Sequence, residues 1–211
     1  MRYLVVDIST TAQPDIEDSP YLSWANKKGS MTPEEAYSKA GLHAEYGMIC
    51  GLSAYWVDFT DEDFKYSEAM TATASDPESE EKLLLDFEEL LDEKVALVGH
   101  NLKDFIVPFL AKRYLGNGLR VPRQIFSTIQ VLKPSYDIMK LLACGGVSVM
   151  SLRAAAWMFG IADPRSSCAS PKFYQLCKDG NFNQISRLTK MNAQVAARVF
   201  GNCVLGGLIE I

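Results

Sequence analysis

Three places in this sequence set chemically capable side chains at or near the end of a structural element. Asp7 stands at the end of an apolar run, in Val6-Asp7-Ile8-Ser9-Thr10. Gly99-His100-Asn101-Leu102-Lys103-Asp104-Phe105 begins where a second apolar run, Val95 to Val98, stops. Arg187-Leu188-Thr189-Lys190-Met191-Asn192 lies in the last long helical pattern. Carboxylate and amide oxygens are the ligands that hard cations such as Mg²⁺ take. Zinc is a poorer match. The five cysteines (Cys50, Cys144, Cys168, Cys177, Cys203) form no Cys-x-x-Cys pair, and His43 and His100 are the only histidines, whereas a zinc site needs closely spaced Cys and His ligands.

These side chains need a scaffold to hold them. Arg2 to Ile8 is a short β-branched run that predicts a buried strand. Residues 9–46 read as irregular, with one helix start where Thr32 caps and Pro33 takes the first helical position. Residues 47–58 read as a second strand and 64–69 as a third. Asp76-Pro77 opens a helix running to about Lys94, with Leu83, Leu84, Phe87, Leu90 and Leu91 as its apolar stripe and Glu78, Glu80, Glu81, Glu88 and Glu89 over the remainder. Residues 95–99 form a short buried strand, His100-Asn101 a turn, and Asp104 to Tyr114 an amphipathic helix with Pro108 near its start. The chain is then basic and loop-rich around Arg120, Arg123 and Lys133. Short helices follow over Tyr136–Leu142 and from the Ser151 cap to Phe159, then a loop over 163–172 and a long helix from Asn183 to about Val199. Strands first and helices later, alternating in the middle, predict a mixed α/β domain spanning residues 1–211.

The three motifs resemble those of the DEDD, DnaQ-like 3′–5′ exonucleases. The nearest resemblance is to the bacterial and phage group predicted to be exonucleases and related to the proofreading domain of family B DNA polymerases. Leu97 to Leu110, with Gly99-His100-Asn101 and Asp104-Phe105, is similar to the second motif of that family almost throughout. Gly41 to Cys50 resembles the segment that enters its second strand, and Tyr136-Asp137-Ile138-Met139 its Asp-Leu-Met segment. The resemblance implies a ribonuclease H-like fold, a mixed sheet of about five strands flanked by helices. It also implies a site of four carboxylates holding two Mg²⁺ or Mn²⁺ ions, with a Tyr or His orienting the water. Carried over by position, Asp7 matches the first acid and Asp104 the acid of the second motif. Ser9 stands where a Glu belongs, Asn192 where the last Asp belongs, and Leu188, one turn earlier on the same face, where the Tyr belongs. No Asp or Glu occurs between Asp179 and Glu210, so no shift of register restores the last acid.

The arithmetic of charge makes those substitutions matter. Two dications about 4 Å apart repel by on the order of 16 kcal/mol at an effective dielectric of about 20. Ser and Asn bring oxygen but no charge. One weakly held Mg²⁺ or Mn²⁺ between Asp7 and Asp104 is what remains. Loss of the water-orienting group alone removes a factor of roughly 10²–10⁴ in rate. Asp137 is either a cleft acid or a helix cap. His100 and Asn101 shape a turn or, with Lys103 and Phe105, meet nucleic acid; Phe105 and Phe109 line a nucleotide pocket or pack in the core. Trp24, Trp56 and Trp157 read as packing residues, and the cysteines as small buried hydrophobes.

Composition limits the remaining choices. At 48% hydrophobic with no apolar run near the length of a membrane span, the chain reads as a cytoplasmic domain with reduced thiols, and an acid as early as Asp7 argues against a signal peptide. The net charge of −5 is unevenly distributed: residues 1–94 carry 7 Lys/Arg and 21 Asp/Glu, a net −14, and residues 95–211 carry 14 and 5, a net +9. The basic half would either meet single-stranded DNA or RNA or neutralise an acidic surface. Three functions fit: a degenerate exonuclease-like protein that retains nucleic-acid binding, an active exonuclease with an atypical site, or a protein-interaction subunit of a replication or phage assembly.

Overall fold

The computed structural model describes residues 1–21, 32–147, 149–162 and 171–210. Its centre is strand β1 (Arg2–Ala12), buried along almost its whole length. β1 runs antiparallel to β2 (Gly47–Phe59), which pairs antiparallel with β3 (Phe64–Thr73). On its other side β1 runs parallel to β4 (Val95–Gly99), which pairs with the two-residue β5 (Tyr136–Asp137). The order β3-β2-β1-β4-β5 is the five-stranded mixed sheet that the sequence predicts.

Alternation along β1 sends Leu4, Val6 and Ile8 to one face and Tyr3 and Val5 to the other. The first face packs on α2 (Pro77–Glu88), through Leu83, Leu84 and Phe87, and on α3 (Val107–Gly116), through Phe109, Leu110 and Tyr114. The second packs on α8 (Phe182–Leu205), through Ala193, Ala196, Ala197 and Phe200, and on α6 (Leu152–Met158), through Ala155 and Ala156. A strand covered on both sides needs apolar residues at nearly every position, so the polar Asp7 and Ser9, in phase with Tyr3 and Val5, lie on the α8 side.

Local signals explain most element starts. Helix α1 (Pro33–Ala40) has the expected Thr32 cap, in a reciprocal box with Glu35. Ser151 caps α6, accepting from the Ala154 amide. Other elements depart from expectation. β1 continues to Ala12 because its end pairs with β2 as far as Gly47. Helix α2 stops at Glu88, six residues short, and the chain turns at Leu90 and Leu91 to enter β4. The stretch read as basic loop holds helix α4 (Arg123–Ile129). Tyr136–Asp137 adds the fifth strand before α5 (Ile138–Leu142). Helix α7 (Pro171–Lys178) occupies the end of the expected 163–172 loop, whose remainder lies outside the described residues, as do Trp24 and Cys168. Trp157 is 85% exposed rather than packed, and Cys144 is exposed rather than buried. Trp56 is partly buried against the first core and carries the Arg2 guanidinium over its ring.

Glu80 is the largest correction. Placed on the solvent side by the helical pattern, its side chain is fully buried. It accepts from the Ile49 amide at 2.7 Å, from Arg113 Nη2 at 2.7 Å and Nε at 3.0 Å, and from Asn117 Nδ2 at 3.2 Å. Arg113 Nη1 also donates to the Ala44 carbonyl. One buried carboxylate thus ties α2, α3 and the start of β2 together. Removing one member of such a pair strands the other charge. Glu80→Ala is therefore expected to lower stability by about 3–5 kcal/mol in urea denaturation; a loss below about 1 kcal/mol, the level of an exposed pair, would contradict this role.

Candidate active site

The site forms where β4 ends beside the middle of β1: Val5 pairs with Val98, so Asp7, expected at the end of its strand, lies midway along β1. Gly99 suits the close packing there: an added Cβ would stand 3.0 Å from the Val6 carbonyl oxygen. Asn101 follows with φ +60°, a left-handed conformation that Asn tolerates better than most residues. The chain then makes a π-helical turn over Leu102–Ile106 before α3, not the α-helix expected from Asp104. Such wide turns are frequent at functional sites. Asp137, at the end of β5, anchors this turn. It is buried and accepts from the backbone amides of Asn101 at 3.1 Å, Lys103 at 2.9 Å and Met139 at 3.1 Å. Asp137 is thus a cap, the structural alternative of its two readings.

The remaining second-motif residues divide in the same way. His100 Nε2 donates to the Met150 carbonyl at 2.7 Å and holds the segment before α6. The Phe105 and Phe109 rings lie 5.5 Å apart; Phe109 is buried in the first core and Phe105 is half-buried against it. Asp104 points outward, its side chain 60% exposed, and pairs with Lys140 Nζ of α5 at 2.8 Å. A pair this exposed contributes at most about 1 kcal/mol. It nevertheless places an ammonium beside the carboxylate that the family resemblance assigns to a metal.

The first and third motifs meet directly. Ser9 and Thr189, both buried, are joined through their hydroxyls at 2.7 Å. Thr189 Oγ1 donates to the Ile185 carbonyl at 2.9 Å. Each hydroxyl has one proton, so Ser9 donates to Thr189. Gly51, opposite Ser9 on β2, permits the contact: a Cβ there would lie 2.7 Å from Thr189 Oγ1. Sequence reasoning singled out Leu188 and Asn192 and passed over Thr189 between them. The available signal was a lone hydroxyl on the Ile185–Thr189–Ala193 stripe, at helical spacing on the face that packs on the sheet. Leu188 packs partly buried beside Cys50, Phe173 and Ile185 in an apolar cluster, and Asn192 is half-buried one turn further on.

These residues do not fit a two-ion centre. The Ser9 hydroxyl donates to Thr189, Leu188 has no polar atom in its side chain, and Asp104 already faces a cation. Among the described residues no group of three or more His, Cys, Asp or Glu side chains gathers where a metal would sit. The repulsion of on the order of 16 kcal/mol between two ions would meet Asp7 and a lysine-paired Asp104.

A mixed five-stranded sheet of this order, covered by helices on both faces and carrying an acid midway along its central strand, is a ribonuclease H-like fold. Residues 39–194 match the profile of the RNase_H superfamily, and the chain belongs to that superfamily. Among solved structures, it is similar to the family B DNA polymerase from the hyperthermophilic archaeon Pyrobaculum calidifontis, with 18% identity and a TM-score of 0.55 over 97% of this chain and 24% of the polymerase. It is also similar to exonuclease I, with 11% identity and a TM-score of 0.50 over 100% of this chain and 46% of that one. The chain thus spans less than half the length of either protein, and at these identities the likeness is one of fold. No curated protein matches it. Among the described residues no helix is long and apolar enough to cross a membrane.

The Ser9–Thr189 contact can be measured. Ser9→Ala and Thr189→Ala are each expected to destabilise the fold, and a double-mutant cycle in urea should give a coupling of about 0.5–1.5 kcal/mol. Strict additivity would mean that the two hydroxyls are not partners.

Proposed function

We propose that this is a degenerate exonuclease-like domain that binds single-stranded nucleic acid in the cleft beside Asp7 and does not hydrolyse it. The observation that carries the reading is the Ser9–Thr189 hydrogen bond, which stands where the resemblance puts the second acid of the metal set. The Asp104–Lys140 pair supports it, because the second carboxylate is already compensated by a cation. Any Mg²⁺ or Mn²⁺ would be held singly and weakly by Asp7 and Asp104. For binding, the reading assigns Lys103, Asn101, His100 and Phe105, on the π-helical turn and just before it, to the strand, within the half of the chain that carries +9. Phosphate contacts of that kind weaken linearly with the logarithm of salt concentration.

A protein partner is the second reading, favoured by exposed apolar side chains. Trp157, Val147 and Val149 are exposed large apolar residues in and just before α6. One experiment separates the alternatives: end-labelled single-stranded DNA and RNA incubated with the chain, with and without Mn²⁺, across a salt series. The expected outcome is intact oligonucleotide, bound at low salt and released as salt rises, with weaker binding by Lys103→Glu. Mn²⁺-dependent shortening that disappears in Asp7→Ala would overturn the proposal, and absence of binding at low salt would shift it to the protein partner.

A further inference from the structure

Two cysteines outside the cleft's acid positions are brought together by an irregularity in the sheet. Across the β1–β2 ladder Ser9 faces Gly51 and Thr10 faces Ile49, so Cys50 is the extra residue of a β-bulge. Bulges re-aim side chains and concentrate beside functional sites. The bulge leaves the Cys50 carbonyl accepting from the Ala74 amide and the Cys50 thiol fully buried, 3.3 Å from the Ser9 carbonyl oxygen. There it packs in the apolar cluster that also takes in Cys177 on α7. Cys177 is half-buried. It lines a cavity of about 260 Å³ walled by Thr11, Tyr37, Ser75, Tyr174 and Lys178.

The two thiols differ in the way a reactive pair requires. The neighbouring Cys50 thiol and Thr11 hydroxyl hold the Cys177 thiol below its ordinary pKa, against the opposing effect of burial. The nearness of Cys177 and burial push the Cys50 thiol well up. The nucleophile of thiol chemistry is the thiolate, and the more acidic member is the one that borders the cavity, whereas the other is fully buried. The other described cysteines lack this arrangement. Cys203 is buried with its pKa raised to about 11, and Cys144 is exposed in a turn after α5.

We propose that Cys50 and Cys177 form a redox pair that a small hydroperoxide, entering by this cavity, converts to a disulfide. In the first step Cys177 thiolate attacks one peroxide oxygen. The O–O bond breaks, hydroxide leaves, and Cys177 becomes a sulfenic acid, oxidised by two electrons as the peroxide is reduced. In the second step the Cys50 sulfur attacks the Cys177 sulfur. The S–O bond breaks, the S–S bond forms, and the Cys50 proton leaves with the hydroxyl as water. Overall two thiols and one hydrogen peroxide give one disulfide and two waters. The product would fasten α7 to the bulge of β2, next to Ser9. The proposal stands on the thiol pair and the cavity and is independent of what the cleft binds.

The test uses the full chain, reduced and then exposed to one equivalent of hydrogen peroxide before alkylation and mass spectrometry. The expected product has lost two hydrogens, leaves three of its five cysteines open to alkylation, and yields a cross-linked peptide pair containing Cys50 and Cys177. Thiol reductant should reverse it. Cys177→Ser is expected to abolish the cross-link. Cys50→Ser, if it folds, should leave a sulfenic acid at Cys177 that dimedone traps. Oxidation confined to Cys144, or a Cys177 that reacts no faster in the folded chain than in urea, would overturn the proposal, and both readouts come from the unmutated protein.

Discussion

Helix α8 lies so close to the β1–β2 ladder that Gly51 has no room for a side chain, since a Cβ there would meet Thr189 Oγ1 at 2.7 Å. That approach puts Thr189 against Ser9 and gives the two buried hydroxyls each other as partners. Buried polar groups need partners, and here the need is met without charge. A glutamate at position 9 would instead bring a carboxylate into this contact, and an ion would have to balance it. The hydroxyl pair and a metal-binding glutamate are therefore alternative ways to close the same gap between β1 and α8.

The protein does bury charge elsewhere, which makes the cleft more informative. Glu80 is enclosed with Arg113, Asn117 and the Ile49 amide, every bond made within the chain. That network lies on the first face of the sheet, at the junction of α2, α3 and β2, while Ser9 meets Thr189 of α8 on the second. The fold thus tolerates a buried carboxylate when a guanidinium compensates it. Of the two carboxylates that the resemblance assigns to the metal, Asp7 is half-buried and Asp104 is turned out to Lys140. Asp137, which a motif search would count as a third acid, has its oxygens engaged by backbone amides of the π-helical turn and the start of α5.

Much of the scaffold was legible because periodicity and caps are local. The strands at Arg2, Gly47 and Val95, the Thr32 and Ser151 caps and the long last helix follow from apolar runs and a few punctuating residues. What was missed depended on distant partners. β5 is two residues long and exists because β4 offers it an edge. Glu80 looked solvent-facing until Arg113, thirty-three positions later, came to meet it. At the site, the family resemblance sets Ser9 and Asn192 against two acids and Leu188 against a Tyr, positions that are visible in the sequence. Thr189 could not be singled out there, because its importance arises only when α8 crosses Gly51. The Cys50 bulge is equally invisible in sequence, as no composition signal marks a one-residue slip in a ladder.

The central claim is that this cleft lacks the charge to hold a pair of divalent ions, and counting bound ions tests it most directly. Mn²⁺ titrated into the chain, with the free ion followed by its electron paramagnetic resonance signal, gives that count without reference to any substrate. The expected result is no more than one weakly bound ion, lost in Asp7→Ala. Two tightly bound ions per chain, both abolished by Asp7→Ala, would contradict it and return the domain to the metal-dependent nucleases.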